Sequence, residues 1–552
     1  MARKIQIIWV FSLILFSYNL LYAQWWKSYP YHQEGSLIYF PRDEGSHPEF
    51  ETGSGTEWWY VNMHLQGQTT KRNYSAMAAY FSYNFRIFNV TDETNNDFLS
   101  FTDFGLLNVS EENLDLKFTL LTGGTEHWIT KADSLGQLLP FQYRLQVGND
   151  DNNIYLDLDA QKPPLIIGSD GLITIGTEDS YYYSQTQLAV TGSLTFMGNT
   201  EPVNGIAWID HQYGPFYVAP GSEESYEWFS LQLDNGMDIN LWNIFTGDNK
   251  IPNDDSHRIC SIYIDDQKQD TTSTFSLERL AFWKYTNGYY FSSGWRFFDP
   301  IHKIDLTITP LFQDQVVPFF LLPFWEGSCH INGIVDGDSV DGHAFAELLH
   351  IYKPPVITVI SPNGGELWDG SQPVTWRLEH PDDGNPLHYD LFYKAGNDTQ
   401  YFPIITGIID TTFIWDVSEL APMDSLKIKV FGYSIDSTIT GTDISDGMFS
   451  IAQPTTVEKC DNLDLNSYKL CQNYPNPFNT ITAISYQLAA FSQVELSVYD
   501  MIGTRIKTLV NENQDKGNYQ IQFDATDLAS GMYFYKLKAG NFYETKKMIL
   551  IK

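Results

Sequence analysis

Apolar and polar residues alternate with a period of two through most of this chain, and turn-forming residues interrupt the pattern at short intervals. In Leu188–Phe196, residues Leu188, Val190, Leu194 and Phe196 fall on one face, while Ala189, Thr191, Ser193 and Thr195 fall on the other. Asp234-Asn235-Gly236 is a hairpin turn, with Leu231 and Leu233 before it and Met237, Ile239 and Leu241 after it on one apolar face. Few stretches have a helical period. A long antiparallel chain must hide its strand edges, either by closing into barrels or by stacking into sandwiches. The 552 residues are too many for one such unit. The expected fold class is therefore all-β: residues 25–352 have room for two β-barrels, and the shorter strands after them fit two small β-sandwiches.

Charge and cysteine content narrow the function. Lys plus Arg number 33 and Asp plus Glu 68, for a net charge of −35. A phosphate-backbone partner needs clustered cations, so no nucleic-acid partner is expected. The four cysteines form no CxxC pair, and neither HExxH nor Gly-x-Ser-x-Gly marks residues 25–352. No metal or organic cofactor is expected from these patterns. Cys260 with Cys329, and Cys460 with Cys471, are the candidate disulfides.

The two ends of the chain concern delivery. Residues 1–24 have the pattern of a secretory signal: Arg3 and Lys4, an apolar run from Ile5 to Leu21, then Ala23 before the cleavage point. No later run is long and apolar enough to span a bilayer, so no transmembrane segment is expected after cleavage. Residues 474–552 open with YPNPFN, contain LASGMYFYKL and end in KKMILIK. This segment resembles the C-terminal sorting domain of type IX secretion substrates in the Bacteroidota and their relatives. The resemblance implies recognition by that machinery, export across the outer membrane, and a secreted or cell-surface protein. Residues 353–452 contain SPNGGELWDGSQPVTWRL and resemble an immunoglobulin-like module with Trp376 in its core, and 453–473 read as a linker.

The chemistry is expected in residues 25–352, divided into barrels at 25–200 and 201–352. Three clusters combine acids with aromatics: His47-Pro48-Glu49 with Glu57-Trp58-Trp59-Tyr60; Trp208-Ile209-Asp210-His211-Gln212-Tyr213-Gly214; and Phe324-Trp325-Glu326-Gly327 with Glu347 behind it. A carboxylate on an apolar strand face is costly unless it is paired or needed. Asp210 shares a face with Trp208. His211 lies on the opposite face of a regular strand, unless a bulge at the following glycine re-aims it. Glu57 and Glu326 have Arg42 and Arg296 as candidate structural partners.

The ordered segments FPRDEGSHPEF, TEWWYVNMHL, YYYS, VTGSLTF, GIAWIDHQYG, EWFSLQLDNG, FWEG and GHAFAEL resemble the carotenoid 1,2-hydratase (AttH/CrtC-like) family over residues 38–350. The resemblance implies two consecutive lipocalin-like barrels and an apolar isoprenoid or lipid substrate. Hydrating an isolated alkene needs a proton donor kept neutral in a dry pocket, aromatic walls for the cation, and a base for the attacking water. Asp210 and His211 are the candidate catalytic residues: Asp210 as proton donor or as the group orienting His211, and His211 as activator of water. Trp208, Tyr213, Trp228, Glu57, Trp59 and His47 are the candidate substrate-binding residues. The chain departs from the carotenoid hydratases in two places. Tyr213 stands where they favour Trp, and Leu241–Phe245 lacks their Tyr-x-Asp element. The alternative from a different class is a non-enzymatic lipocalin-like binding protein for hydrophobic ligands, displayed on the cell surface.

Overall fold

The computed structural model describes residues 25–550, except 51–54, 176–177, 217–223, 286–288, 320–322, 380, 397, 419, 421 and 453–466. The expected signal segment and most of the expected linker lie outside the described residues. The fold is all-β: apart from a short 3-10 turn at Arg42–Glu44, the described elements are strands. Among the described residues, no helix is long and apolar enough to cross a membrane.

Ten strands form the first barrel. Eight run in order from Thr56–Gly67 to Asn153–Ala160, each paired to its predecessor. The long strand Glu178–Phe196 and its partner Asn199–Gly214 complete the circuit. Asn199–Gly214 pairs back onto Thr56–Gly67, and Glu178–Phe196 pairs with Asn153–Ala160, so no free edge remains in this circuit. Leu188, Val190, Leu194 and Phe196 do share one buried face, and it lines the interior of this barrel.

The second sheet places Ser225–Leu233, Asp238–Phe245 and Arg258–Asp265 beside Asp338–Leu348 and Phe324–Val335. Its two end strands, Lys268–Thr272 and Ser276–Arg279, are consecutive in the chain but unpaired with each other, so the sheet curls into a half-barrel. The Asp234–Gly236 turn closes as expected, with Gly236 at φ +90°, where a side chain would be strained. Cys260 and Cys329 are free buried thiols, so the candidate disulfide between them is not formed. Two small sandwiches follow. Trp376 lies in the core of the first with Trp368 and Trp415. Phe478, Tyr535, Leu537 and Leu550 fill the second. Cys471 is disulfide-bonded, while Cys460 lies outside the described residues.

The central strands are buried on both faces. Along Ser225–Leu233, Phe229, Leu231 and Leu233 fill the second barrel, while Tyr226 and Trp228 turn outward. Along Asn199–Gly214, Ala207, Ile209 and Tyr213 fill the first barrel, while Trp208 turns outward. The outward residues of both sheets meet in a third apolar cluster, a seam that also contains Tyr60, Tyr182, Trp242 and Phe345. The candidate site lies in this seam.

Candidate active site

A cavity of about 360 Å³ opens in the seam. Strand alternation selects its lining. Trp58 and Tyr60 come from Thr56–Gly67, Tyr182 from Glu178–Phe196, and Asp210 from Asn199–Gly214. The facing wall supplies Tyr226, Trp228, Trp242 and Glu347 from the second sheet. The volume lies at the small end of ligand-site size, and the lining is mostly aromatic with few polar groups.

Asp210 is the buried acid of the first wall. Three donors converge on it: Ser184 Oγ at 2.5 Å and Trp208 Nε1 at 2.7 Å to Oδ1, and Tyr182 OH at 2.5 Å to Oδ2. Burial raises its pKa strongly. The three donors pull it back, repulsion from Glu347 adds to the rise, and the balance falls at about 7. Tyr182 is held in turn, since its oxygen accepts from Asn240 Nδ2 at 2.7 Å and Trp228 Nε1 at 3.2 Å. Both of those donors belong to the second sheet.

A carboxyl pair occupies the second wall. Glu326 and Glu347 lie opposite each other on adjacent antiparallel strands. Tyr60 OH donates to Glu326 Oε1 at 2.7 Å, and Tyr226 OH donates to Glu347. Among the described residues Glu326 Oε2 has no N–H or hydroxyl donor, and Glu347 is its neighbour. Burial, then the neighbouring charge of Glu347, pushes the Glu326 pKa well up. Glu347 is also raised by burial, although its hydrogen bonds oppose the shift. Among the described residues neither carboxyl has an arginine partner: Arg296 pairs with Asp305.

His211 is elsewhere. The strand runs regularly through Asp210–Gly214, with continuous pairing to Thr56–Gly67 and no bulge at that point. The register shift on the other side lies between Gln185 and Leu188. Asp210 and His211 therefore point to opposite faces, and His211 enters the first barrel. There it meets Glu57 (Nε2 to Oε1, 3.0 Å), and His47 reaches the same oxygen through Nδ1 at 2.8 Å. Glu57 pairs with these histidines, while Arg42 lies 3.7 Å from Glu49. Tyr213 stacks on His47 at 3.5 Å between centroids, and Trp59 on His211 at 4.9 Å. Burial opposes charge on both histidines. It prevails at His211, whose pKa is lowered, whereas bonds to Asp43 and Glu57 outweigh it at His47, whose pKa is raised.

The structure thus divides the expected site residues into two groups. Asp210 and Trp228 line the cavity, and Trp208 touches it through Asp210. His47, Glu57, Trp59, His211 and Tyr213 gather inside the first barrel, behind the strand that carries Asp210. The sequence reading missed Tyr182, Ser184, Tyr60, Tyr226 and Asn240. Their one signal is a polar or phenolic residue on the same period-two face as a tryptophan or an acid.

A double β-barrel-type scaffold with an aromatic, carboxyl-bearing cavity between its halves defines the class. The AttH-like family model matches residues 31–351, and the chain belongs to that family. A secretion-system C-terminal sorting domain matches residues 472–552, so the protein is exported by the type IX machinery to the cell surface or beyond. An AttH candidate from Nitrosomonas europaea is 20% identical, with 57% of this chain and 98% of that one aligned, at a TM-score of 0.44. Kievitone hydratase from Nectria haematococca is 16% identical over 59% of this chain and 98% of its own, at 0.44. CghA is 11% identical over 59% and 96%, at 0.37. No curated protein matches the chain in sequence.

Proposed function

We propose that the protein is a secreted hydratase or lyase acting on an apolar, alkene-bearing isoprenoid or lipid in the seam cavity. The observation that carries this reading is Asp210: a wholly buried carboxyl, poised near neutrality, that opens into an aromatic chamber with a second pair of acids on the far wall.

In the neutral form, Asp210 protonates the alkene and leaves a tertiary cation. The rings of Trp58, Trp228 and Trp242 line the chamber in which that charge forms, and aromatic π-systems stabilise such a cation. Water adds to the cation and gives its surplus proton to Glu347, the half of the Glu326–Glu347 pair that lines the cavity. A proton returned to Asp210 closes the cycle, and the net change is the addition of one water. The reverse sequence is dehydration. Ser184, Trp208 and Tyr182 stabilise the carboxylate left after proton transfer. His211 acts in this scheme as a positioning residue. It holds the strand behind Asp210 and does not touch the substrate.

The test incubates the full chain with a panel of isoprenoid and unsaturated-lipid alkenes, and with their tertiary alcohols, followed by mass spectrometry. The expected result is gain or loss of one water with the wild type, and none with Asp210→Asn. Retention of an unchanged apolar compound by both proteins would overturn the enzyme reading in favour of the binding protein.

A further inference from the structure

We infer that His47, Glu57 and His211 form a binding site for a divalent transition-metal cation of the zinc class. Their ligand atoms lie within 4.8 Å of one another, and all three residues are buried. His211 Nδ1 lies 2.8 Å from the carbonyl oxygen of Asp43, which only accepts. Nδ1 therefore carries the hydrogen of a neutral ring, and Nε2 turns a lone pair towards Glu57 Oε1 at 3.0 Å. His47 repeats the pattern. Its Nε2 lies 3.3 Å from the Asp43 carboxylate, and its Nδ1 faces the same Glu57 oxygen at 2.8 Å. Glu57 Oε2 is occupied by the His47 backbone N–H at 3.0 Å, which leaves Oε1 as the convergence point.

With both rings neutral, three electron-pair donors meet at one spot. Each imidazole is fixed from behind by an acceptor, the outer-shell arrangement that orients metal-bound histidines. Two imidazoles and one carboxylate suit zinc better than calcium or magnesium, which prefer all-oxygen cages. A cation here would convert opposed lone pairs into ligation after the ligands spread by a few tenths of an ångström. Without a cation, protons must bridge the opposed atoms, with His47 charged between Asp43 and Glu57 and a further hydrogen between Glu57 Oε1 and His211 Nε2.

The three ligands come from separate segments: the 42–50 segment, the Thr56–Gly67 strand and the Asn199–Gly214 strand. The ion would clamp the first of these to the back of the strand that bears Asp210. Its role would be structural, and it stands apart from the seam chemistry.

The test uses the full chain without a metal-affinity tag, stripped with chelator and re-equilibrated with zinc alone. Elemental analysis should find about one zinc ion per chain. The melting midpoint should fall on stripping and return with zinc, and cobalt substitution should give a tetrahedral visible band. His211→Gln and Glu57→Gln should each lose the ion. Should either variant misfold, stripping and restoration of the wild type still decides the question. Zinc content below about one tenth of an ion per chain, with an unmoved midpoint, would overturn the proposal. Equal zinc binding by wild type and folded His211→Gln would do so as well.

Discussion

Asp210→Asn should change how stability depends on pH, and the size of the change follows from the burial of this carboxyl. A carboxyl whose folded pKa lies above its unfolded value favours the folded state fully below the unfolded value. That contribution drains away as pH rises through the folded value. For Asp210 the two values are 3.8 and about 7. Linkage over that interval makes the wild type lose about 2–3 kcal/mol between pH 5 and pH 8 from this group alone. Asparagine does not titrate, so the variant is spared that loss. Glu44, also raised to about 7 by burial, and Asp238, raised to about 6 despite Lys162, remain in both proteins and cancel in the comparison. The assay is urea unfolding of both full chains at pH 5, 6, 7 and 8, followed by tryptophan fluorescence. Asn replaces one acceptor oxygen among three converging donors with an amide NH2, so the variant starts at a disadvantage at pH 5. The gap should then move in its favour by the stated amount, most steeply between pH 5 and 7, and level off by pH 8. A gap constant to within about 0.5 kcal/mol would show that Asp210 does not titrate in this range, and the proton-donor role would lose its physical basis.

Three further outcomes are expected. Arg279→Met should cost about 3–5 kcal/mol in urea unfolding, because it strands the buried Glu227 carboxylate; adding Glu227→Gln should restore part of that loss. Cys260 and Cys329 are buried thiols with pKa values pushed up by burial, so both should resist a thiol reagent in the native protein and react in denaturant. Trp242→Ala removes one aromatic wall of the cavity, and should weaken binding of an apolar fluorescent probe by about tenfold in titration.

Strand alternation made the all-β fold legible, and Leu188–Phe196 and the Asp234–Gly236 hairpin sort as the sequence indicates. What alternation could not say was which apolar face is an interior and which is a seam. Along Asn199–Gly214 both faces are buried, so Asp210 and His211 look equally placed in sequence. Neighbours in sequence suggested a catalytic pair, but a regular strand sends them to different compartments. The partners Asp210 does have, Tyr182 and Ser184, sit across a register that only pairing reveals, with Ser184 opposite Asp210 itself. The Glu326–Glu347 pair was visible as two acids in apolar strands. Its cross-strand register was not: Glu326 stands opposite Glu347, and Arg296, which seemed suited to pair with it, pairs with Asp305.

The separation of three apolar clusters also bears on how such a protein diversifies. Each barrel has its own packed interior, while the seam has a third set of side chains contributed by both. Substitutions at Met77, Ala79, Ile87 or Phe324 would recut the chamber without disturbing either interior. A lineage can therefore try new substrates on a scaffold whose folding is insured elsewhere.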